Sequence, residues 1–248
     1  MWIGWTAAAI AAAGWFGVAR AADFSILPTT ITLSNQPAAD VSLTNTGTTF
    51  TRISVHAYAW SQEPSLPEKL TESDDVVYFP EIFALAPGGT QRIRVGSALG
   101  PTDKEQAYRL IIQELPTPKA PGGPPSFGVT FLSRVDMPVF VSPRGPQTRV
   151  PKLVSLAVEH GVATALLANE GTIHIRQSVL TFTGTDAAGN AIWHETVRPF
   201  YVLAGSQQNA HATIPAAICA RLHGISAHWV LPDNLGQLAA SSGIGSCR

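Results

Sequence analysis

The sequence predicts an all-β protein of two sandwich domains, and three observations carry that expectation. After the N-terminal segment, apolar residues alternate or cluster in short β-branched runs, and no stretch holds a helical period for long. Gly, Pro, Asn and Asp punctuate these runs at close intervals, the rhythm of short antiparallel strands. One proline-dense break, Ser142-Pro143-Arg144-Gly145-Pro146, divides the series. Each proline there removes a ladder donor and fixes φ, so no central strand continues through it.

Composition agrees. A chain of 248 residues accommodates two domains of ordinary size. With 45% hydrophobic and only 13% charged residues there is ample material for two cores, and long disordered tracts are not expected. Sixteen Lys and Arg against 17 Asp and Glu leave a formal charge of -1, which gives nucleic acid no basic footprint.

The N-terminus reads as an export signal over residues 1–21. Met1 to Ala13 carries no charged side chain, the apolar run continues to Val18, and Ala19-Arg20-Ala21 places small residues before Ala22. The early segment departs from the usual pattern in lacking Lys or Arg. Trp2 to Val18 is about 17 residues, borderline for a membrane anchor. The well-placed small residues favour cleavage, which puts the mature protein in the periplasm or outside the cell.

Strands are expected at Ile26–Leu33, Asp40–Thr44, Thr51–Trp60, Gln91–Val95, Ala107–Leu115 and Phe127–Val141. Turns fall at Asn35-Gln36-Pro37, Asn45-Thr46-Gly47 and Ala86-Pro87-Gly88-Gly89, and Pro116 to Pro125 is a Pro/Gly-rich loop. Beyond the break come Lys152–Glu159, Val162–Ala168, Gln177–Thr183, Ala191–Val197 and Ala227–Leu231, with a hairpin turn at Ala188-Gly189-Asn190. The expected organisation is a first domain over 22–143, a hinge over 144–149 and a second domain over 150–248, without an internal repeat. Cys219 and Cys247 fit an exported protein best as a disulfide, worth about 3 kcal/mol to the last domain. Free thiols or metal ligands are the alternatives, and no CxxC or His pair at ligand spacing supports the metal.

Residues that could carry chemistry are scattered. The histidines at 56, 160, 174, 194, 211, 223 and 228 form no HxH and no HExxH. There is no G-x-S-x-G elbow, phosphate loop or Ser-x-x-Lys. Glu68, Glu72, Asp74 and Asp75 lack the spacing of a calcium loop and read as a solvated loop. The expectation is a non-enzymatic protein without cofactor or metal.

A series of motifs in the first domain occurs in a fixed order. These are Ile26-Leu27-Pro28-Thr29-Thr30-Ile31, then Val41-Ser42-Leu43-Thr44-Asn45, then Val55 to Trp60. Next comes Tyr78 to Val95 (YFPEIFALAPGGTQRIRV), with a Pro-containing run, Pro-Gly and an Arg-Ile strand. Ala107 to Pro116 (AYRLIIQELP) and Val139-Phe140-Val141-Ser142-Pro143 complete it. In that order, over about residues 24–143, the chain resembles the periplasmic pilus-assembly chaperones of the chaperone–usher pathway. The resemblance implies two immunoglobulin-like β-sandwich domains in a boomerang arrangement. It also implies donor-strand complementation, in which the chaperone's strand fills the groove of a pilin subunit lacking its own last strand. The partners implied are pilin subunits and an outer-membrane usher in the periplasm, with no nucleic acid and no small-molecule substrate.

Phe127, Val129 and Phe131 share one strand face by the period of two. Three large apolar side chains there suit a groove-filling strand, and they equally suit an ordinary sandwich core. The resemblance favours the groove-filling role. It also implies a basic pair that anchors the subunit's terminal carboxylate, yet the corresponding positions are Thr30 and Asp136. That departure, and Met137-Pro138-Val139-Phe140-Val141 without a basic residue before its proline, look more like the archaic, spore-coat-protein-U-associated branch. Arg92, Arg94 and Arg134 are the replacement anchors nominated by charge; Arg92 and Arg94 share a strand face, which is also what a solvated outer face would show. The competing function is a secreted sandwich adhesin or glycan-binding module. Such a module favours exposed loop aromatics, whereas Trp60, Trp193 and Trp229 sit in strand-like runs.

Overall fold

A computed structural model of the chain describes residues 24–34, 38–116, 131–233, 235–245 and 247. It is made of strands in two sandwiches. In the first, one sheet holds β1 (Phe24–Leu27), β3 (Ala38–Asn45), β8 (Thr90–Ser97) and β6 (Val76–Phe79), in the order β1-β3-β8-β6. The facing sheet runs β2 (Ile31–Leu33), β10 (Arg134–Val141), β9 (Gln106–Leu115), β4 (Thr51–Glu63) and β5 (Leu66–Glu72), with β7 (Ile82–Leu85) also on β4. Alternation places Val41, Leu43, Ile53, Val55, Ile93, Val95, Leu110 and Ile112 between the sheets, each 0% exposed.

Two sequence expectations change here. The run Ile26–Leu33 is not one strand, because Pro28 cannot donate to a ladder and the chain there leaves the sheet of β1 for the sheet of β2. The acidic stretch is not a loop up to Glu72: Leu66–Glu72 is β5, paired with the outer half of β4. β5 is an edge strand, and edge strands tolerate charged side chains such as Glu68, Lys69 and Glu72.

The second sandwich faces β11 (Pro151–Glu159), β12 (Val162–Asn169) and β15 (Gln207–Thr213) against β14 (Ala191–Val202), β13 (Ile175–Thr185), β16 (Gly224–Val230) and β17 (Gln237–Gly243). Trp229 and Phe182, both 0% exposed, fill its centre. The short helix α1 (Ala216–Cys219) is tied to the C-terminal residues by the Cys219–Cys247 disulfide, whose Cα atoms lie 5.5 Å apart.

A corner is built twice. Asn45, 0% exposed, donates from Nδ2 to the carbonyls of Thr49 (2.8 Å) and Leu85 (3.1 Å) and accepts the N–H of Gly47 at 2.9 Å. Asn169, 1% exposed, donates to Ile173 (2.8 Å) and Val202 (3.1 Å) and accepts the N–H of Gly171 at 3.0 Å. Gly88 and Gly205, at φ 72° and 68°, turn the chain three residues after the second carbonyl in each case. The expectation of no internal repeat is corrected: the repeat survives in contacts, with Asn-x-Gly nearly all that remains of it in sequence.

Loss of either amide strands buried carbonyls, so Asn45→Ala and Asn169→Ala should each cost about 2 to 3 kcal/mol in urea unfolding. Thr46→Ala, at an exposed position, should cost little. A second expectation concerns pH. Burial first, then the charge of Asp75 and its 3.2 Å hydrogen bond, push the Tyr108 phenol up from 10.0 to about 12. The folded chain holds that proton more tightly than the unfolded one. Stability should therefore be full below about pH 10 and fall as pH rises through about 12. Tyr108→Phe should flatten the decline, read from urea midpoints across that window.

Candidate functional site

The site begins with an edge. β10 pairs with β9 along its whole length, from Arg134 opposite Gln113 to Val141 opposite Gln106. On its other side it meets β2 in parallel only at Val139–Val141. Among the described residues, the outer edge from Arg134 to Pro138 has no strand beside it. Met137, Val139 and Val141 point into the core and are 1%, 0% and 3% exposed, which fixes the strand in place.

Phe131 stands just upstream of β10 and is 89% exposed, and Leu132 is partly exposed beside it. A phenyl ring so fully in water contributes nothing to the core of the free protein. Phe127 and Val129, nominated with Phe131 as the strand face that fills a partner's groove, lie outside the described residues.

The nominated cations are dispersed. Arg134 is clamped by Asp136 of its own strand through bonds of 2.7 and 3.1 Å. Arg92 and Arg94 lie on β8 in the opposite sheet, exposed on its outer face, and Arg94 reaches Asp40 at 3.4 Å. They are separated from β10 by the thickness of the sandwich. Thr30 immediately precedes β2, where Ile31 stands opposite Val139.

A different cation faces the seam between the sandwiches. Arg109 on β9 is opposite Pro138 of β10 and Tyr58 of β4. Its guanidinium lies 3.7 Å over the Trp60 ring and 5.8 Å from the Tyr201 ring, and Nε donates to Glu68 at 2.7 Å. Its side chain is 13% exposed. Among the described residues its two terminal nitrogens have no acceptor. The period of two separates Arg109 from its core-facing neighbours Tyr108 and Leu110, but its setting depends on cross-strand register and on Tyr201, which lie outside local pattern.

The seam between the sandwiches holds this cation in place. Trp60, Phe140 and Leu203 form a small core with Tyr201, and His174 stacks on Phe140 with ring centres 3.8 Å apart. Gln62 clasps the second sandwich with its whole amide. Nε2 donates to the Tyr201 carbonyl (2.9 Å) and Gln208 Oε1 (3.0 Å), and Oε1 accepts the Leu203 N–H at 2.8 Å. On the other flank the Glu105 carboxylate accepts the His174 N–H at 2.8 Å and lies 2.7 Å from His174 Nδ1. Among the described residues no group of three or more His, Cys, Asp or Glu could hold a metal ion.

A two-sandwich protein whose first half ends in a strand with a vacant edge offers another chain a row of backbone groups to pair with. Residues 23–147 match the model of the pili and flagellar-assembly chaperone family, PapD N-terminal domain, and the chain belongs to that family. It is similar to a chain of the CsuC–CsuE chaperone–tip adhesion subunit pre-assembly complex from the archaic chaperone–usher Csu pili of Acinetobacter baumannii. That likeness has 21% identity and a TM-score of 0.62, covering 91% of this chain and 100% of that one. The CupB2 chaperone of Pseudomonas aeruginosa is similar at 13% identity and a TM-score of 0.52, over 88% of this chain and 100% of that one. The class 5 fimbriae chaperone CfaA is similar at 11% identity and a TM-score of 0.54, over 88% and 98%. These likenesses establish the fold. No curated protein matches the sequence significantly.

Gln62 tests the seam. Gln62→Ala leaves the Leu203 N–H without its acceptor, at about 1 to 3 kcal/mol. Calorimetry should show a single melting transition of the wild type separating toward two, one for each sandwich.

Proposed function

We propose that this chain is a periplasmic chaperone that captures pilin subunits by donor-strand complementation and delivers them to an outer-membrane usher. The observation that carries the reading is the vacant edge of β10 beside the exposed Phe131. A subunit lacking its last strand has open edges and an apolar groove, both costly in water. A chaperone strand with apolar side chains satisfies both at once. Phe127, Val129 and Phe131 are assigned to that donor face. Residues 22–143 form the subunit-binding domain, 144–149 the joint and 150–248 the second domain, with 1–21 removed on export. The chain acts by binding and not by catalysis.

For the subunit's terminal carboxylate we assign Arg109. Its Cα stands opposite Pro138 of β10, its guanidinium lies over Trp60 in the seam, and its terminal nitrogens are free of acceptors among the described residues. Arg134 is occupied by Asp136, and Arg92 and Arg94 face away on the other sheet. Thr30 and Asp136 in place of the basic pair, with the likeness to the Csu complex, support a place in the archaic branch.

Co-expression with a pilin subunit deleted of its N-terminal extension tests the reading. Phe131→Asp should reduce recovered complex at least tenfold without lowering the melting temperature, since the ring is in water. Arg109→Gln should weaken capture roughly tenfold to a hundredfold, the equivalent of about 1.5 to 3 kcal/mol. The Arg92→Gln/Arg94→Gln protein should capture normally, and its failure would move the anchor to β8. Normal capture by Phe131→Asp would refute the donor assignment.

A further inference from the structure

Among the described residues, the first sandwich is open where β1 and β10 diverge. The opening is about 350 Å³ and is lined by Phe24, Ile26, Thr29, Ser133, Arg134 and Val135. Its floor is apolar: Phe24 is 8% exposed, and Ile26 and Val135 pack partly against the core. Its rim is polar, with Arg134 held back against Asp136 by two hydrogen bonds and the Ser133 N–H donating to Glu114 at 3.2 Å.

The opening adjoins the vacant edge, and the two share Arg134 and Val135. β2 occupies the row beside β10 only from Ile31 onward, because the chain before it crosses from the other sheet. A partner in the rest of that row is an extended strand, since only a strand satisfies a line of backbone donors and acceptors. Side chains of a strand alternate between faces, so such a partner turns alternate residues inward toward Phe24, Ile26 and Val135.

We propose that this opening is a socket for one large apolar side chain of the subunit strand that lies along β10, and that it selects among subunits by the size of that side chain. The proposal rests on the chaperone reading above. The selecting residues are Ile26 and Val135, with Phe24 as the floor. A hydrophobic pocket discriminates modestly per methylene, about tenfold or somewhat more, enough to rank related subunits without excluding any.

The first test needs no subunit. Capped seven-residue peptides Thr-Val-Thr-X-Thr-Val-Thr, with X as Ala, Val, Leu or Phe, are titrated into isotope-labelled protein and followed by NMR. Affinity should rise at least tenfold from Ala to Leu or Phe, with shifts at the amides of Arg134–Met137 and the methyls of Ile26 and Val135. Ile26→Trp should abolish the dependence on X, and Ile26→Ala should move the preference toward the larger side chain, so the test survives if one variant does not fold. Equal affinities across the series would overturn the socket, as would a side chain of this chain filling the opening in the free protein. The second test is capture of the truncated pilin, where Ile26→Trp should lose at least tenfold at unchanged melting temperature. A socket that selects peptides in a protein that captures no pilin would sink the chaperone reading alone. Capture that is indifferent both to Ile26 and to X would sink the socket alone.

Discussion

Backbone donors and acceptors at the side of a strand need partners, and among the described residues β10 finds them on one side along its length but on the other for only three residues. The shortfall originates upstream. Pro28 and the turn that follows take the chain out of the sheet of β1, so the row beside β10 fills only from Ile31. Meanwhile Met137, Val139 and Val141, buried in the core, hold β10 rigid whether or not a partner is present. The vacant edge is therefore preorganised, and a guest strand bears most of the ordering entropy. Such an edge would ordinarily invite aggregation. Here Arg134 and Asp136 place charge along it, and Pro138 shortens the usable ladder.

Much of this was legible in the sequence because core strands advertise themselves by alternation. β3, β4, β8, β9 and the C-terminal half of the Phe127–Val141 run fall where apolar residues recur every second position. The strands that escaped notice are held by neighbours and not by their own propensity. β15 reads Gln-Gln-Asn-Ala-His-Ala-Thr and β17 Gln-Leu-Ala-Ala-Ser-Ser-Gly, both poor in β-branched residues, and each lies against a strand that fixes its register. The doubled corner escaped for a related reason. Its physics needs an Asn amide and two glycines, and the residues between them are free to vary.

The anchor was the least legible part. Arg109 is the one cation in a mostly apolar strand, and nothing local sets it apart from a solvated outer face. What sets it apart is stacking on Trp60 of β4, an ion pair with Glu68 of β5 and proximity to Tyr201 of the second sandwich. Those partners come together only when three strands take their register and the seam closes. The same dependence gives the second sandwich a purpose that its remoteness from β10 does not suggest. By Gln62 and by the Glu105–His174 contact it fixes the cleft in which the guanidinium lies.

Under the proposed assignments, edge and socket adjoin along β10 and the cation belongs to the next strand, turned toward the seam. The socket opens beside Arg134 and Val135, the vacant row extends to Pro138, and Arg109 stands opposite Pro138 on the next strand. A guest strand in that row is read at three places by three kinds of physics. Backbone pairing along β10 accepts any extended sequence and supplies affinity without choice. The socket responds to side-chain volume. The cation responds to a chain end, because a free carboxylate there gains charge-assisted bonds that an internal peptide group lacks. Binding is strongest when all three are met in register, which requires an apolar residue at a fixed distance from a C-terminus. On that proposal, the spacing ranks the subunit tails that a sequence-tolerant edge would otherwise take alike.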